Sequence, residues 1–414
     1  MGIFVDEVVV HGASVSVDSP RSSDVRASRR EYMKALHERK QVWQPIMVRY
    51  SGGQVGAMMD LGDTPLLGGQ VVDARFEGLE RLAALLAPTL EQALQMEARQ
   101  LTEGSNKQVP VWVLVPRQFL HATESPTEPG DSSCTDELIH LLETQVPGCT
   151  DRFDIQMRWV DSADLHEVFA EVWPAIEQHA RARAEVERRY RGWKIPESEV
   201  VPPFRAWLFV VDSWLETERL LPYVMAGGLA GHPPLGEVAV GIALSTEATD
   251  HTLAELVEAA HASSPQRAVE LALQGAAKSR PHDPSSNIWA SGHYDQSHNL
   301  CTSGDVLHLA LDAFSLGAAN IVASSRGANA PHVHWRRFCP NLSVGHLGIA
   351  SGAFALAHAA YALHDGWSLS GALLLLCLTE PLGTELVEAG ATAFALQRVG
   401  SQTPTTQPTT QSRR

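Results

Sequence analysis

Residues Asn341–Gly366 read NLSVGHLGIASGAFALAHAAYALHDG, and the fold turns on what this stretch becomes. It opens as a turn, Ser343-Val344-Gly345-His346, and continues as a helix of small residues. Ala350, Ser351, Gly352, Ala353, Ala355, Ala357, Ala359, Ala360 and Ala362 fall on every side of it. A helix that is small and apolar all round predicts full burial, with neighbours too close for larger side chains. His346 stands near its N-terminal end, where the helix dipole favours anions and disfavours a charged imidazole. Two readings stand. One is a glycine-rich turn closing on a core helix; the other is a histidine held at the mouth of a buried helix, an arrangement suited to carbonyl chemistry.

Working outward, Ala372–Thr379 (ALLLLCLT) follows the helix as a strand covered on both faces, and Ala391–Leu396 (ATAFAL) is the last strand. Before the helix, Ala319–Ser324 reads as a strand, Gly304–Leu316 as a helix, Asn287–Ala290 as a strand, and a helix lies within Ala254–Ala277. A similar order precedes Thr246. Asp6–Val10 is a first strand with a turn at His11-Gly12-Ala13. Gln44–Tyr50 and Gln54–Met58 flank Ser51-Gly52-Gly53 as a hairpin. Phe76–Glu97 carries leucines at helical spacing, and Val109–Val115 is a covered strand. Thr123–Ser133 reads as a loop. Asp164, at a capping position, starts a long helix that reaches Tyr190. Then come the strand Ala206–Val211, a helix near Glu216–Met225 and the strand Val238–Leu244. Long helix, AWLFVVDS, a break and VAVGIAL are answered by the small-residue helix, ALLLLCLT, a break and ATAFAL. This recurrence predicts an α/β domain of two pseudo-symmetric halves, residues 1–250 and 251–400, with a disordered tail over 401–414.

Composition narrows the class. At 414 residues the chain can bury a large core, and 44% hydrophobic with 19% charged residues is ordinary for a globular protein. The longest apolar run, Ala372–Leu378, is strand-sized, so no membrane partner is expected. The start, MGIFVDEVVVHGAS, has neither the basic stretch nor the cleavage-type site of a signal peptide. Cys134, Cys149, Cys301, Cys339 and Cys377 are unpatterned and odd in number, which points to a reducing cytoplasm. A formal charge of −16 argues against nucleic acid as partner. Arg181, Arg183, Arg188, Arg189, Arg191 and Lys194 crowd one helix end, and the interleaved Glu185 and Glu187 predict a solvated, self-paired face there.

Placed in this order, the pieces resemble the thiolase-fold condensing enzymes, β-ketoacyl-acyl carrier protein synthases in particular. Gly345-His346-Leu347-Gly348 with Ala350-Ser351-Gly352 is similar to their GHxxGAAG block. Val211-Asp212-Ser213 resembles a GGVDS strand end, Pro234-Leu235-Gly236-Glu237 a PGEGA turn, and Arg81-Leu82-Ala83 part of the first helix. The resemblance runs from Val8 to about Gln397 and implies a thiolase-like, layered αβαβα domain that forms a homodimer.

It breaks at the chemistry. A condensing enzyme needs a cysteine thiolate at the start of the helix that here begins near Asp164. The sequence there is Val160-Asp161-Ser162-Ala163-Asp164, with no cysteine between Cys149 and Cys301. Ser162 is the candidate for that position, and its acidic neighbours disfavour an anionic nucleophile. The family's other histidine is matched weakly by His293, without the expected Gly-Thr after it, and its lysine by Asn341. Only His346 stays in place, as a remnant. His166-Glu167 falls short of a metalloprotease helix because position 170 is Ala. His298, Cys301, His332 and His334 have no second motif to complete a zinc site, so neither metal nor cofactor is expected. The resemblance therefore implies a catalytically silent scaffold or adaptor for a protein partner. Short degenerate chains of this kind resemble accessory proteins of type VI secretion, where the partner is an effector. The alternatives are an active β-ketoacyl synthase, an acyltransferase served by an acyl carrier protein, or a partner subunit like the chain-length factors.

Overall fold

The structure, a computed structural model, describes residues 3–12, 30–35, 43–49, 53–59, 64–100, 108–120, 131–160, 165–196, 199–201, 203–216, 219–220, 235–263, 265–279, 287–291, 336–338, 344, 347–367, 371–378 and 391–399. The strands are β1 (Ile3–Gly12), β2 (Gln44–Pro45), β3 (Met47–Arg49), β4 (Val55–Ala57), β5 (Leu67–Gly69), β6 (Val109–Pro116), β7 (Phe153–Val160), β8 (Arg205–Ser213), β9 (Leu235–Ser245), β10 (Ala254–Ala262), β11 (Asn287–Ser291), β12 (Arg336–Phe338), β13 (Ala372–Leu378) and β14 (Ala391–Gln397). The helices are α1 (Gly78–Gln100), α2 (Asp131–Gln145), α3 (Cys149–Arg152), α4 (Leu165–Arg189), α5 (Pro265–Ser279) and α6 (Ser351–His364).

One 12-stranded sheet runs β12-β11-β13-β14-β10-β1-β9-β8-β6-β7, with β5 and β2 added beside β9. Its two halves repeat strand for strand. In the first, β1 and β8 flank β9 antiparallel, and β6 lies parallel to both β8 and β7. In the second, β10 and β13 flank β14 antiparallel, and β11 lies parallel to both β13 and β12. Even the register breaks correspond: β1 slips against β9 between Val5 and Glu7, and β10 slips against β14 between Leu256 and Glu258. A short antiparallel ladder, Ile3 opposite Leu256 and Val5 opposite Ala254, joins the halves.

The layers follow from which strand faces are apolar. Every residue of β9 is buried, as a strand covered on both faces requires. One face of the first half packs Val111, Val113, Trp207 and Phe209 against Leu82, Leu86 and Leu90 of α1 and Leu138 of α2. Its other face and the inner face of the second half share a single core around α6, from Leu208 and Val240 to Leu375 and Phe394. Beneath α5, Val257, Ala276 and Ala395 form the outermost core. All residues of α6 from Ser351 to Leu363 are buried, as its composition predicts. Small side chains let strands close in on every side, and no bulky substitute has room.

Charge is buried where the halves meet. Asp6 on β1 accepts hydrogen bonds from Thr252 (2.7 Å) and from Arg205 (2.9 Å). The same Arg205 reaches Glu97 of α1 at 2.7 Å, and Trp207 Nε1 donates to Glu97 at 2.7 Å. Burial holds the Asp6 carboxyl above its ordinary range, against the opposing pull of these partners.

Several elements differ from the sequence reading. The expected helix within 254–277 is a strand followed by a helix beginning at Pro265. AELVEAAHA is rich in helix formers, but β1 and β14 pair on either side of it and tertiary pairing prevails. β1 continues through His11 and Gly12, where a turn was expected, because β9 pairs with both residues. Asp131–Ser133 form the first turn of α2 rather than the end of a loop. The β3–β4 hairpin is as expected, with Gly53 at φ 81° in its turn. The expected helix 304–316, strand 319–324 and tail 401–414 lie outside the described residues. Among the described residues no helix is long and apolar enough to cross a membrane.

Candidate functional site

Parallel strands β6, β7 and β8 end at one edge of the sheet, the edge where open α/β sheets bind ligands. Leu114 lies opposite Val210 and Pro116 opposite Val160, so the three C-terminal ends are adjacent. At the end of β8, Asp212 and Ser213 are fully buried. Asp212 Oδ2 accepts the N–H of Ile349 at 2.8 Å, which fastens the start of the central helix to this edge. Gly348 makes that approach possible: its φ is +55°, and a Cβ built there would lie 1.9 Å from Asp212 Oδ2.

Arg219 neutralises the other oxygen, Asp212 Oδ1, and also donates to the Ser213 carbonyl at 2.6 Å. Its guanidinium lies 4.4 Å from the Trp214 ring centroid and 5.4 Å from that of Phe119. Two of its nitrogens, Nε and Nη2, are buried and have no hydrogen-bond partner among the described residues. A guanidinium edge in that condition suits a carboxylate or carbonyl oxygen. Sequence reasoning missed Arg219. The signal was Asp212, a carboxylate ending an otherwise apolar strand, since a buried charge calls for a counter-charge.

A second buried network joins three of the motifs that carried the family resemblance. Arg81 on α1 donates to Glu237 at 2.8 Å and to Ser213 Oγ at 3.1 Å, and Ser213 Oγ donates to Glu237 at 2.7 Å. The second oxygen of Glu237 accepts the N–H groups of Val71 and Val72, each at 2.7 Å. These residues, far apart in sequence, lock the first helix, the end of β8 and the start of β9 together. Their role is positional, since each of these contacts is an internal hydrogen bond.

Ser162, His293 and His346 themselves lie outside the described residues, but their flanks are described. Ser162 falls between Val160, the last residue of β7, and Leu165, the first of α4. His293 follows Ser291, which ends β11 and pairs with Cys377. Cys377 Sγ in turn reaches the Gly352 carbonyl, in the first turn of α6, at 3.8 Å. His346 stands between Val344 and Leu347, both buried. Among the described residues, the ends of β8 and β13 both touch the start of α6, through Asp212 with Ile349 and Cys377 with Gly352.

The described cysteines are Cys134, Cys149 and Cys377, all free and buried. Cys134 is buried in α2, and Cys377 in β13. Cys149 opens α3, where burial and a hydrogen bond to Glu143 push its thiol up to about 12. Among the described residues no three His, Cys, Asp or Glu side chains are grouped to hold a metal ion. His298, Cys301, His332 and His334 lie outside them, and of His166 only the helical backbone is described.

No protein-family model matches the chain, and no curated protein sequence matches it. Solved structures do. The ishigamide ketosynthase/chain length factor is similar at a TM-score of 0.52 and 12% identity, over 97% of this chain and 100% of that one. The chain has the fold of the thiolase-like ketosynthases. A ketosynthase from module 6 of the bacillaene synthase of Bacillus subtilis 168 is similar at a TM-score of 0.52 and 11% identity, over 97% of this chain and 71% of that one. The PfaC keto synthase-chain length factor gives 0.51 and 11%, over 96% of this chain, which spans only 43% of the PfaC chain. At such identities the thiolase-like likeness is one of fold.

Proposed function

We propose that this chain is a catalytically silent scaffold on the ketosynthase fold, which binds a protein partner and forms no acyl-enzyme. One observation carries the reading: the junction from β7 to α4 is Asp161-Ser162-Ala163-Asp164, so the helix start that should present a thiolate offers a serine between carboxylates. Condensation begins with a thioester on the enzyme, and that step needs a nucleophile that is deprotonated or has a base beside it. Carboxylates close to the hydroxyl disfavour its ionised form. His346 is then a remnant of the fold's chemistry and His293 a residue without a task in it. The chain is a homodimer in this reading, and the partner, by the family resemblance, is an effector handled by type VI secretion.

The test is intact-mass analysis after incubation with acyl and malonyl thioesters of an acyl carrier protein. No adduct is expected. A stoichiometric adduct that survives denaturation and maps to Ser162 or to a cysteine would establish the active acyltransferase instead.

A second reading is favoured by the likeness to two chains described as ketosynthase–chain length factors. A subunit of that kind keeps the fold without needing the cysteine and pairs with an active ketosynthase. Affinity capture from native lysate separates the two readings: recovery of a cysteine-bearing ketosynthase supports the pairing subunit, and recovery of secretion components supports the adaptor.

A further inference from the structure

The C-terminal end of α4 carries a surface that the fold does not use. Trp193 is 81% exposed, more than any other large hydrophobic side chain among the described residues. It is not on a loose tail. Gly192, at φ +84°, closes the helix in the left-handed conformation, and Trp193 N–H donates to the Tyr190 carbonyl at 2.7 Å. Tyr190 is tied in turn to Glu199 at 2.6 Å, and Arg189 reaches the same carboxylate at 3.2 Å. The indole is thus presented on a fastened turn.

The cations around it divide into two sets. Arg183 pairs with Glu187 and Glu247, and Arg189 with Glu185 and Glu199, which uses both interleaved glutamates on the helix itself. Arg188, Arg191 and Lys194 are exposed and have no carboxylate partner among the described residues. Arg191 lies in the turn just past α4, where its N–H donates to the Arg188 carbonyl at 3.4 Å, and Lys194 follows Trp193 directly. An exposed tryptophan beside unspent cations combines a large apolar anchor with charge that selects its complement.

We infer that Trp193, Arg188, Arg191 and Lys194 form a docking site for a short acidic segment of a partner protein, one bearing an apolar or aromatic residue for the indole. The occupant is argued from charge. The chain carries a net −16, so an extended polyanion such as a nucleic acid duplex or an anionic membrane would also meet its acidic surface. A short peptide confined to this helix end would meet only the local cations, since distant charges are screened within about 8–10 Å at physiological salt. The inference deepens the scaffold reading by giving its partner a chemistry, and it does not depend on catalytic silence.

The probe is a fluorescein-labelled peptide of aspartates around a central phenylalanine, followed by fluorescence anisotropy against the full chain. Binding is expected at low salt and should weaken as salt rises. Trp193→Ala should weaken it about tenfold or more, and the combined Arg188→Glu, Arg191→Glu and Lys194→Glu variant should abolish it. Both variants should melt with the wild type, because the altered side chains are solvent-exposed. Equal binding by wild type and both variants would overturn the site, as would tighter capture of a DNA duplex or of phosphatidylserine vesicles than of the peptide. An acyl adduct in the mass experiment would end the silent-scaffold reading and leave this result standing.

Discussion

Gly348 and Gly78 share a backbone conformation, φ +55° at each, but not a setting. Among the described residues a Cβ on Gly78 would meet nothing within 4 Å, whereas one on Gly348 would strike Asp212. Gly78→Ala should therefore cost about 1 kcal/mol, the conformational penalty alone. Gly348→Ala should cost about 3 kcal/mol or more, because it also pushes the carboxylate out of its buried pairing. Chemical denaturation of the two variants checks this, and equal losses would show that the contact between Gly348 and Asp212 is slack. Glu143 supplies a pH test. Its carboxylate accepts the N–H of Gly148 at 2.7 Å, the N–H and hydroxyl of Thr150, and the Cys149 thiol. The Gly148 N–H is the largest of the causes that hold its pKa down to about 2. A carboxyl lowered on folding stabilises above its ordinary pKa and loses that contribution as pH falls toward the folded value. Glu143→Gln should thus destabilise at neutral pH, and its gap from wild type should narrow as pH falls from about 4.5 toward 2. A urea series across that range measures it, and a constant gap would contradict the assignment. Asp212, Glu237 and Arg81 were legible in the sequence as motif residues, but the pairing of Glu237 with Arg81, and Arg219 as the partner of Asp212, were not, since no local pattern says which distant cation meets a buried carboxylate.

The central helix and its counterpart in the first half behave differently as elements. From Ser351 to Leu363 no position of α6 is exposed, while the last turns of α4 alternate exposed and half-buried residues. Ala357→Leu should therefore overpack the shared core and cost about 1–3 kcal/mol. Ala182→Leu, on the exposed face of α4, should stay within about 0.5 kcal/mol. Thermal melts of the pair distinguish them, and a neutral Ala357→Leu would mean that α6 has room beside it. That α6 is buried was readable from composition, because nine small residues in one stretch leave no polar face. That Ala254–Ala262 is a strand was not readable. Its residues favour helix, and its true signal is long-range: it occupies in the second half the place that β1 occupies in the first. β7 and α2 also escaped the sequence reading, since FDIQMRWV and DSSCTDELIHLLETQ carry mixed polarity without a clean period.

At the scale of the molecule, both halves contribute to the core around α6 and hydrogen-bond through β1 and β10. The backbone also crosses between them where Leu253 N–H meets the Val5 carbonyl at 2.7 Å. A protease nick between Thr246 and Ala254 should leave the fragments associated, because separating them would expose that apolar core to water. Size-exclusion chromatography of nicked protein is the check, and two fragments that elute apart would show independent domains.

By itself the sequence determined the α/β class, the buried small-residue helix, the repeated order of elements and the absence of any cysteine between Cys149 and Cys301, because each is written in local composition and spacing. Only the tertiary structure decided that Asp212 fastens the start of α6, that Arg81, Ser213 and Glu237 form one network, and that AELVEAAHA pairs as a strand. Those outcomes depend on hydrogen bonds between residues far apart in the chain, 156 positions in the case of Arg81 and Glu237. A buried polar group must find its partner wherever the chain brings one within reach, and that is a property of the folded whole.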